Sequence, residues 1–260
     1  MFSLFQFLGD SDLRLTILDV GAAFLDAPSY QSLVDAGRAR IIGFEPDPEA
    51  CRKLNEKYGE PHRFLPYFIG DGAQATYYET NWGPTGSLFM PNTSLLEKFQ
   101  LLAEVTTVVG EHPVVTRRLD DLPEIDDIDF VKIDVQGAEL GIFQNASRVL
   151  GQVLLIQTEV GFVESYSGQP MFSDVDAFLR RNGFQFHDFV GMGSRSFKPL
   201  TNPADPSGHP MTRSFRQKIW ADALYVKDWM KLDRLAPGKL RKLAVLMHDL
   251  LGSYDLAHAV

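Results

Sequence analysis

Apolar residues in this chain come in short runs that alternate with stretches of helical spacing. Residues 15–20 (LTILDV) read as a buried strand. Residues 29–38 read as a helix, with Leu33 and Val34 on one face and Ser29 at its N-cap. Residues 40–45 (RIIGFE) form a second strand. Pro46-Asp47-Pro48 then opens a helix, because proline suits a first turn, and Gly59 stops it after Tyr58. A third strand covers 63–69, and 75–80 (ATYYET) alternates like an exposed strand. The spacing predicts a loop at 83–92, a helix over 93–102 and β-branched runs within 106–119. Buried strands at 130–135 (FVKIDV) and 153–159 (VLLIQTE) flank a helix over 137–150. A helix at 174–182, a strand at 184–189, a loop at 200–209, a strand at 220–227 and a helix at 240–251 complete the chain.

Strands alternating with helices imply parallel β-α-β units in a doubly wound sheet. Ligands of such sheets lie beyond the carboxyl ends of the strands. Those ends carry Asp19-Val20-Gly21, Glu45, Asp71, Asp134 and Glu159. Packing does not explain carboxylates that end apolar strands. The first turn, Asp19 to Ala22, and the second strand end, Glu45-Pro46, form a candidate cofactor site. Gly21 permits a sharp turn and close backbone approach. Glu45 stands where nucleotide folds place a carboxylate on a ribose diol. Asp71, beside Gly72, is either a site residue or an ordinary turn residue. Only one glycine of the G-x-G-x-x-G fingerprint is present.

Composition narrows the class. The 260 residues include 45% hydrophobic and 23% charged residues and carry a net charge of −9. That composition suits a soluble globular protein and excludes collagen, disulfide-scaffold and wholly disordered chains. A single cysteine, Cys51, requires no oxidising compartment, and a cytoplasmic location is expected. The apolar start (MFSLFQFL) is too short to span a bilayer and lacks a signal-peptide layout. It is expected to pack its phenylalanines onto the domain. The net acidity argues against a general nucleic-acid binder. The charge is uneven, since residues 195–245 hold 11 Lys and Arg against 4 Asp and Glu. Arg213, Arg216 and Lys218 there suit an anionic acceptor, or form a solvated charge run.

The segments ILDVGA (17–22), GFEPDP (43–48), RRLDDL (117–122) and IDFVKIDVQGAELGIFQNA (128–146) resemble the FkbM family of S-adenosylmethionine-dependent methyltransferases. GDG (70–72), GSLFMP (86–91), TEVGF (158–162) and DALYVK (222–227) agree with it in order. Three positions depart from the family pattern. Ala23 and Leu25 stand where Asn and a second Gly are common, and Gln136 stands where Glu is frequent. The resemblance implies a Rossmann-like class I methyltransferase fold, mostly parallel with an antiparallel last strand. It covers residues 15–227, so the expected division is a packing segment at 1–14, a methyltransferase domain at 15–228 and a helical extension at 229–260. The implied cofactor is S-adenosylmethionine, which has no pyrophosphate to cradle, so one glycine suffices. Asp19, Gly21 and Ala22 would line its methionine end, Glu45 and Pro46 the ribose, and Asp71 the adenine amino group, with Asp134 joining Asp19, Glu45 and Asp71 in an acidic pocket for the cationic sulfonium and amino group. The acceptor would be a hydroxyl on a sugar, glycan or related small molecule.

Methyl transfer to an alcohol needs in-line positioning, exclusion of water and a base. Asp134 is the first candidate base and Glu159 the second. If the two converge they would alternatively bind a divalent cation. Lys132 shares a strand face with Asp134 and would neutralise it. His209, in a Pro-rich loop beside the basic segment, is the best-placed histidine; His112 and His187 are weaker candidates. Trp82 and Tyr166 would stack on a sugar or cover the core. Glu139 starts a helix and suits its dipole. A nicotinamide-dependent oxidoreductase or epimerase and a non-catalytic binding module are the competing functions.

Overall fold

All six residues of β1 (Leu15–Val20) are buried, because the strand lies mid-sheet with both faces covered. The computed structural model describes residues 3–9, 13–22, 27–203 and 214–260. After a short α1 (Leu4–Leu8) and β1 come α2 (Gln31–Asp35), β2 (Ala39–Phe44), α3 (Pro48–Tyr58) and β3 (Arg63–Leu65). β4 (Gln74–Thr80) pairs antiparallel with β5 (Val108–Val115) in a separate two-stranded ribbon, with α4 (Thr93–Leu96) and α5 (Leu102–Val105) between them. β6 (Phe130–Ile133), α6 (Glu139–Gln144), α7 (Ser147–Gln152), β7 (Leu155–Gly161), α8 (Phe172–Arg181), β8 (Phe184–Ser194) and β9 (Lys218–Lys227) follow. α9 (Pro237–Val245) and α10 (Tyr254–Ala259) end the chain.

The main sheet has the order β3-β2-β1-β6-β7-β9-β8. Its first five strands are parallel, and β9 inserts antiparallel between β7 and β8. This is the expected mostly parallel α/β sheet with an antiparallel last strand. Side chains alternate between its faces with a period of two. Leu18, Val20, Val131, Ile133 and Ile156 pack against Ile142 and Phe143 of α6, Val149 and Leu150 of α7, and Val175 and Leu179 of α8. Leu15, Ile17, Phe130, Leu155, Leu224 and Val226 face the other way, with Leu33 of α2, Cys51 of α3 and Leu243 of α9.

Several predicted bounds change for identifiable reasons. Ser29 does not cap α2; its hydroxyl donates to Gln157 Oε1 at 2.7 Å, and the helix begins later, at Gln31. The helix expected over 93–102 ends at Leu96, and α5 begins only at Leu102, after Leu101 with φ 69°. That expected over 137–150 divides into α6 and α7 around Asn145 and Ala146. β3 ends at Leu65, and Ile69 instead bridges Arg117. Asp47 caps α3, accepting from Ala50 N. Of the N-terminal phenylalanines Phe5 is buried, Phe7 is 73% exposed and Phe2 lies outside the described residues.

The C-terminal segment closes the amino end of the sheet. The Asp249 carboxylate accepts from Ser3 Oγ and from the N–H groups of Leu4 and Phe5. The fully buried Asp129 accepts from Lys239 Nζ at 2.6 Å and Lys242 Nζ at 2.8 Å, and from Thr16 N. A buried carboxylate is tolerable only with such partners.

Candidate functional site

One face of the sheet changes character along its strands. Its amino-terminal half is the apolar surface of Leu15, Ile17, Phe130, Leu155, Leu224 and Val226. Two residues further along the parallel strands the same parity carries Asp19, Lys132 and Gln157, directly paired across β1, β6 and β7. Beyond Gln157 stands Glu159, whose register partner on β9 is Asp222. Asp134 follows β6 with the parity of Lys132, and Glu45 follows β2. A polar row therefore crosses the carboxyl ends of the sheet.

Lys132 is the cation of this row. Its Nζ lies 3.7 Å from Asp19 Oδ1, so its nearest carboxylate is Asp19 rather than the expected Asp134. Burial alone would depress the ammonium, but Asp19, Asp134, Asp222 and Glu159 surround it and raise it. Asp19 is fully buried, and burial raises its carboxyl above the usual range against the opposing pull of Lys132 and Tyr30. Tyr30, also fully buried, donates to Asp19 Oδ2. Asp19 Oδ1 has no hydrogen-bond donor among the described residues. Asp222 is raised by burial too, while Gln157 Nε2 donates to it at 2.9 Å. Glu159 is raised well above its ordinary value by burial and by the negative charges of Asp134, Glu139 and Asp222.

The turn after β1 is built on close backbone contact. Gly21 has φ 87°, and a Cβ there would lie 2.1 Å from Asp134 O. The Gly21 and Ala22 N–H groups both donate to Phe44 O. Glu45 is buried, with Oε1 accepting from Asp47 N at 2.8 Å; no described residue donates to Oε2. Burial raises its carboxyl as well. Pro46, half-buried, links Glu45 to the cap of α3.

Asp19, Asp134 and Glu159 thus all act by their charge on Lys132, with Asp19 at ion-pair distance, and Glu45 feels the charge of Asp19. Asp71 stays apart from that ring. It is exposed, and its Oδ1 accepts from Ala73 N and Thr116 Oγ1, which closes a local turn. His209 lies outside the described residues, as do Arg213, Ala23 and Leu25. His112 belongs to the β4–β5 ribbon and pairs with Glu79, and His187 lies on β8. Tyr166 is buried with its hydroxyl engaged, so it does not offer a face for stacking; Trp82 is 44% exposed. Among the described residues no group of three or more His, Cys, Asp or Glu has the arrangement of a metal centre. No described helix is long and apolar enough to cross a membrane.

The residues not singled out from sequence are Asp222, Gln157 and Tyr30. Asp222 and Gln157 are polar interruptions of apolar strands, a signal equal to that of Asp134. Tyr30 left none, because its partner is eleven positions away across a turn.

Glu139 has a structural task. Its Oε1 accepts from Val135 N and Gly137 N, which folds the turn after β6. Burial pushes its carboxyl up to about 7 from an ordinary 4.5. An acid raised in the folded state adds stability below the unfolded value and loses it as pH rises through the folded one. Glu139→Gln is therefore expected to flatten the fall in unfolding free energy between pH 4.5 and 7, by about 3 kcal/mol. Urea unfolding at stepped pH checks this; an unaltered slope would count against it.

The chain is 30% identical over 167 residues to the 2-O-methyltransferase NoeI of Sinorhizobium fredii, a stretch covering 59% of this chain and 66% of that protein. Among solved structures it is similar to precorrin-6y C5,15-methyltransferase of Geobacter metallireducens, with TM-score 0.40 and 16% identity over 86% of this chain and 85% of that one. A SAM-dependent methyltransferase of Aquifex aeolicus gives TM-score 0.34 and 11% identity over 86% and 89%. The methyltransferase FkbM domain model matches residues 19–186, which hold every carboxylate of the row except Asp222. The chain belongs to the FkbM methyltransferase domain family.

Proposed function

We propose that this protein is an S-adenosylmethionine-dependent O-methyltransferase whose acceptor is a hydroxyl of a sugar, glycan or related small molecule. The observation that carries this is the carboxylate row around Lys132, at the strand ends of a chain from a methyltransferase family. Transfer to oxygen is supported by the 2-O-methyltransferase among its relatives. Two features fit the cofactor. Among the described residues Asp19 Oδ1 is a buried acceptor lacking a donor, and Glu45 keeps one oxygen uncommitted beside a buried turn. Bound there, the cofactor supplies an electrophilic methyl group on a sulfonium.

The chain's own residues do the rest. Asp19, Gly21 and Ala22 border the methionine end, and Glu45 with Pro46 holds the ribose hydroxyls. Asp71 would reach the adenine with Oδ2, since Oδ1 serves its turn. Asp134 takes the acceptor hydroxyl's proton. Glu159, raised by its neighbours, carries a proton more readily and is the second proton-holding group.

Titration calorimetry tests the proposal. Binding of S-adenosylhomocysteine without NAD is the expected result. NAD binding would favour an oxidoreductase, and folded protein that binds neither would leave a non-catalytic module. Glu45→Ala should weaken S-adenosylhomocysteine binding by about 1–3 kcal/mol through loss of hydrogen bonds to the diol. An unchanged dissociation constant would remove Glu45 from the site.

A further inference from the structure

The turn after β6 contains a hydrogen-bond conflict that the cofactor site does not explain. Gln136 sits there in the left-handed region, φ 57°, between Asp134 and Gly137. Its main chain is pinned, because Ser87 Oγ donates to its carbonyl at 2.6 Å. On either side, the Val135 and Gly137 N–H groups are held by Glu139. Its side-chain amide is the part left to turn. Nε2 donates to Asp134 Oδ1 at 2.8 Å, and the same amide opposes the burial and negative charges that raise Glu159. Oε1 faces the Tyr166 hydroxyl at 2.9 Å.

That hydroxyl also lies 2.9 Å from the Thr85 carbonyl oxygen. Both neighbours are acceptors, and a phenol has one hydrogen to give. One of the two contacts is therefore unmet while Gln136 faces this way. Turning the amide over removes the conflict. Nε2 would donate to the Tyr166 oxygen, and the hydroxyl would donate to Thr85. At the other end Oε1 would then meet Asp134 and Glu159. Two ionised carboxylates would repel it, whereas one protonated carboxyl would donate to it. Each orientation thus suits a different proton count on the pair.

We propose that Gln136 is a positioning residue whose amide turns over when the Asp134–Glu159 pair takes up a proton, transmitting that event to Tyr166 and the loop carrying Thr85. This rests on the assignment of Asp134 as base. In the transfer the acceptor oxygen bonds to the methyl carbon, the carbon–sulfur bond breaks to leave a thioether, and the hydroxyl proton passes to Asp134. The turned amide then satisfies the protonated pair and the phenol together. The charged groups facing the pair are Lys132 on β6, Asp19 on β1, Glu139 on α6 and Asp222 on β9. Their charges bias the proton count, but none touches Tyr166 through a hydrogen bond among the described contacts.

The test needs no acceptor. The whole chain, labelled with carbon-13 and nitrogen-15, is titrated from pH 5 to 9 by NMR. The Gln136 side-chain amide and the Tyr166 hydroxyl-bearing carbon are expected to shift with the midpoint of the pair. Gln136→Gly keeps the left-handed turn at no steric cost. It should raise that midpoint by about one pH unit, since a hydrogen bond to the charged form is lost. It should also leave the Tyr166 signal flat. In Tyr166→Phe the Gln136 amide should still follow the midpoint, because its contact with Asp134 remains. A Tyr166 signal that moves equally in Gln136→Gly, or an unmoved midpoint, overturns the proposal. S-adenosylhomocysteine binding is measured on the same samples. Its absence from the unaltered protein would overturn the methyltransferase assignment and leave the amide result to stand or fall separately.

Discussion

Asp134→Asn is expected to lower turnover by about 10²–10⁴-fold, the usual contribution of a positioned base. S-adenosylhomocysteine affinity should stay within about twofold, since the substitution is isosteric and no hydrogen bond to the product cofactor is removed. The geometry favours such a clean separation. An asparagine carbonyl still accepts from Gln136 Nε2, and the main-chain bond from residue 134 to Val20 O is untouched. What disappears is one negative charge and one proton acceptor. The neighbouring Glu159 should then ionise more easily, because Asp134 is among the charges that raise it. The assay follows labelled methyl transfer to the acceptor found by screening glycans and related alcohols. Equal losses in turnover and cofactor binding would make Asp134 a cofactor or structural residue.

Lys132→Met should lower the unfolding free energy by about 3–5 kcal/mol at pH 8, the range for removing one partner of a buried ionic group. The lysine side chain is only 15% exposed and is the cation that four carboxylates share. The pH dependence follows from the signs. Lys132 is raised in the folded state, so its contribution is present well below its ordinary value near 10.5 and constant from pH 5 to 8. In the variant, the carboxyls rise further and can neutralise themselves by taking up protons. The loss should therefore shrink as pH falls from 8 towards 5. Urea unfolding at both pH values measures it, and a loss that grows on acidification would show that Lys132 does not hold the carboxylates together. Lys132→Arg keeps the charge and should recover part of the stability, limited by the larger head in a closed space.

The two substitutions probe parts of the site that were unequally visible in sequence. Asp134 and Glu159 stood out because an ionisable residue ending an apolar strand has no packing reason to be there. The same logic applied to Asp222 and Gln157, but these lie inside strands whose pairing was unknown. Register alone places Asp222 opposite Glu159 and Gln157 beside Lys132. Lys132 was legible as a partner of Asp134 by its period of two, yet the closer carboxylate belongs to the adjacent strand. A spacing rule sees only its own strand, whereas a sheet brings side chains together across strands. Asp71 is a case that its own neighbours explain. Its Asp-Gly neighbourhood allowed a turn, and the turn is what its Oδ1 closes.

Local chemistry alone determined the order of strands and helices, the parallel class, the proline-led start of α3 and the positions of the strand-end carboxylates. Those features depend on periodicity, on proline and glycine, and on residues near one another in the chain. Only the tertiary structure decided that Ser29 serves Gln157 instead of α2, and that Lys132 stands among four carboxylates. It alone placed Asp134, Gln136, Tyr166 and Thr85 in one line of polar contacts. The physical reason is range. Helix and strand preferences are set within a few residues, but burial and charge act through space. The energy of an ionised group therefore depends on which distant segments the fold packs beside it.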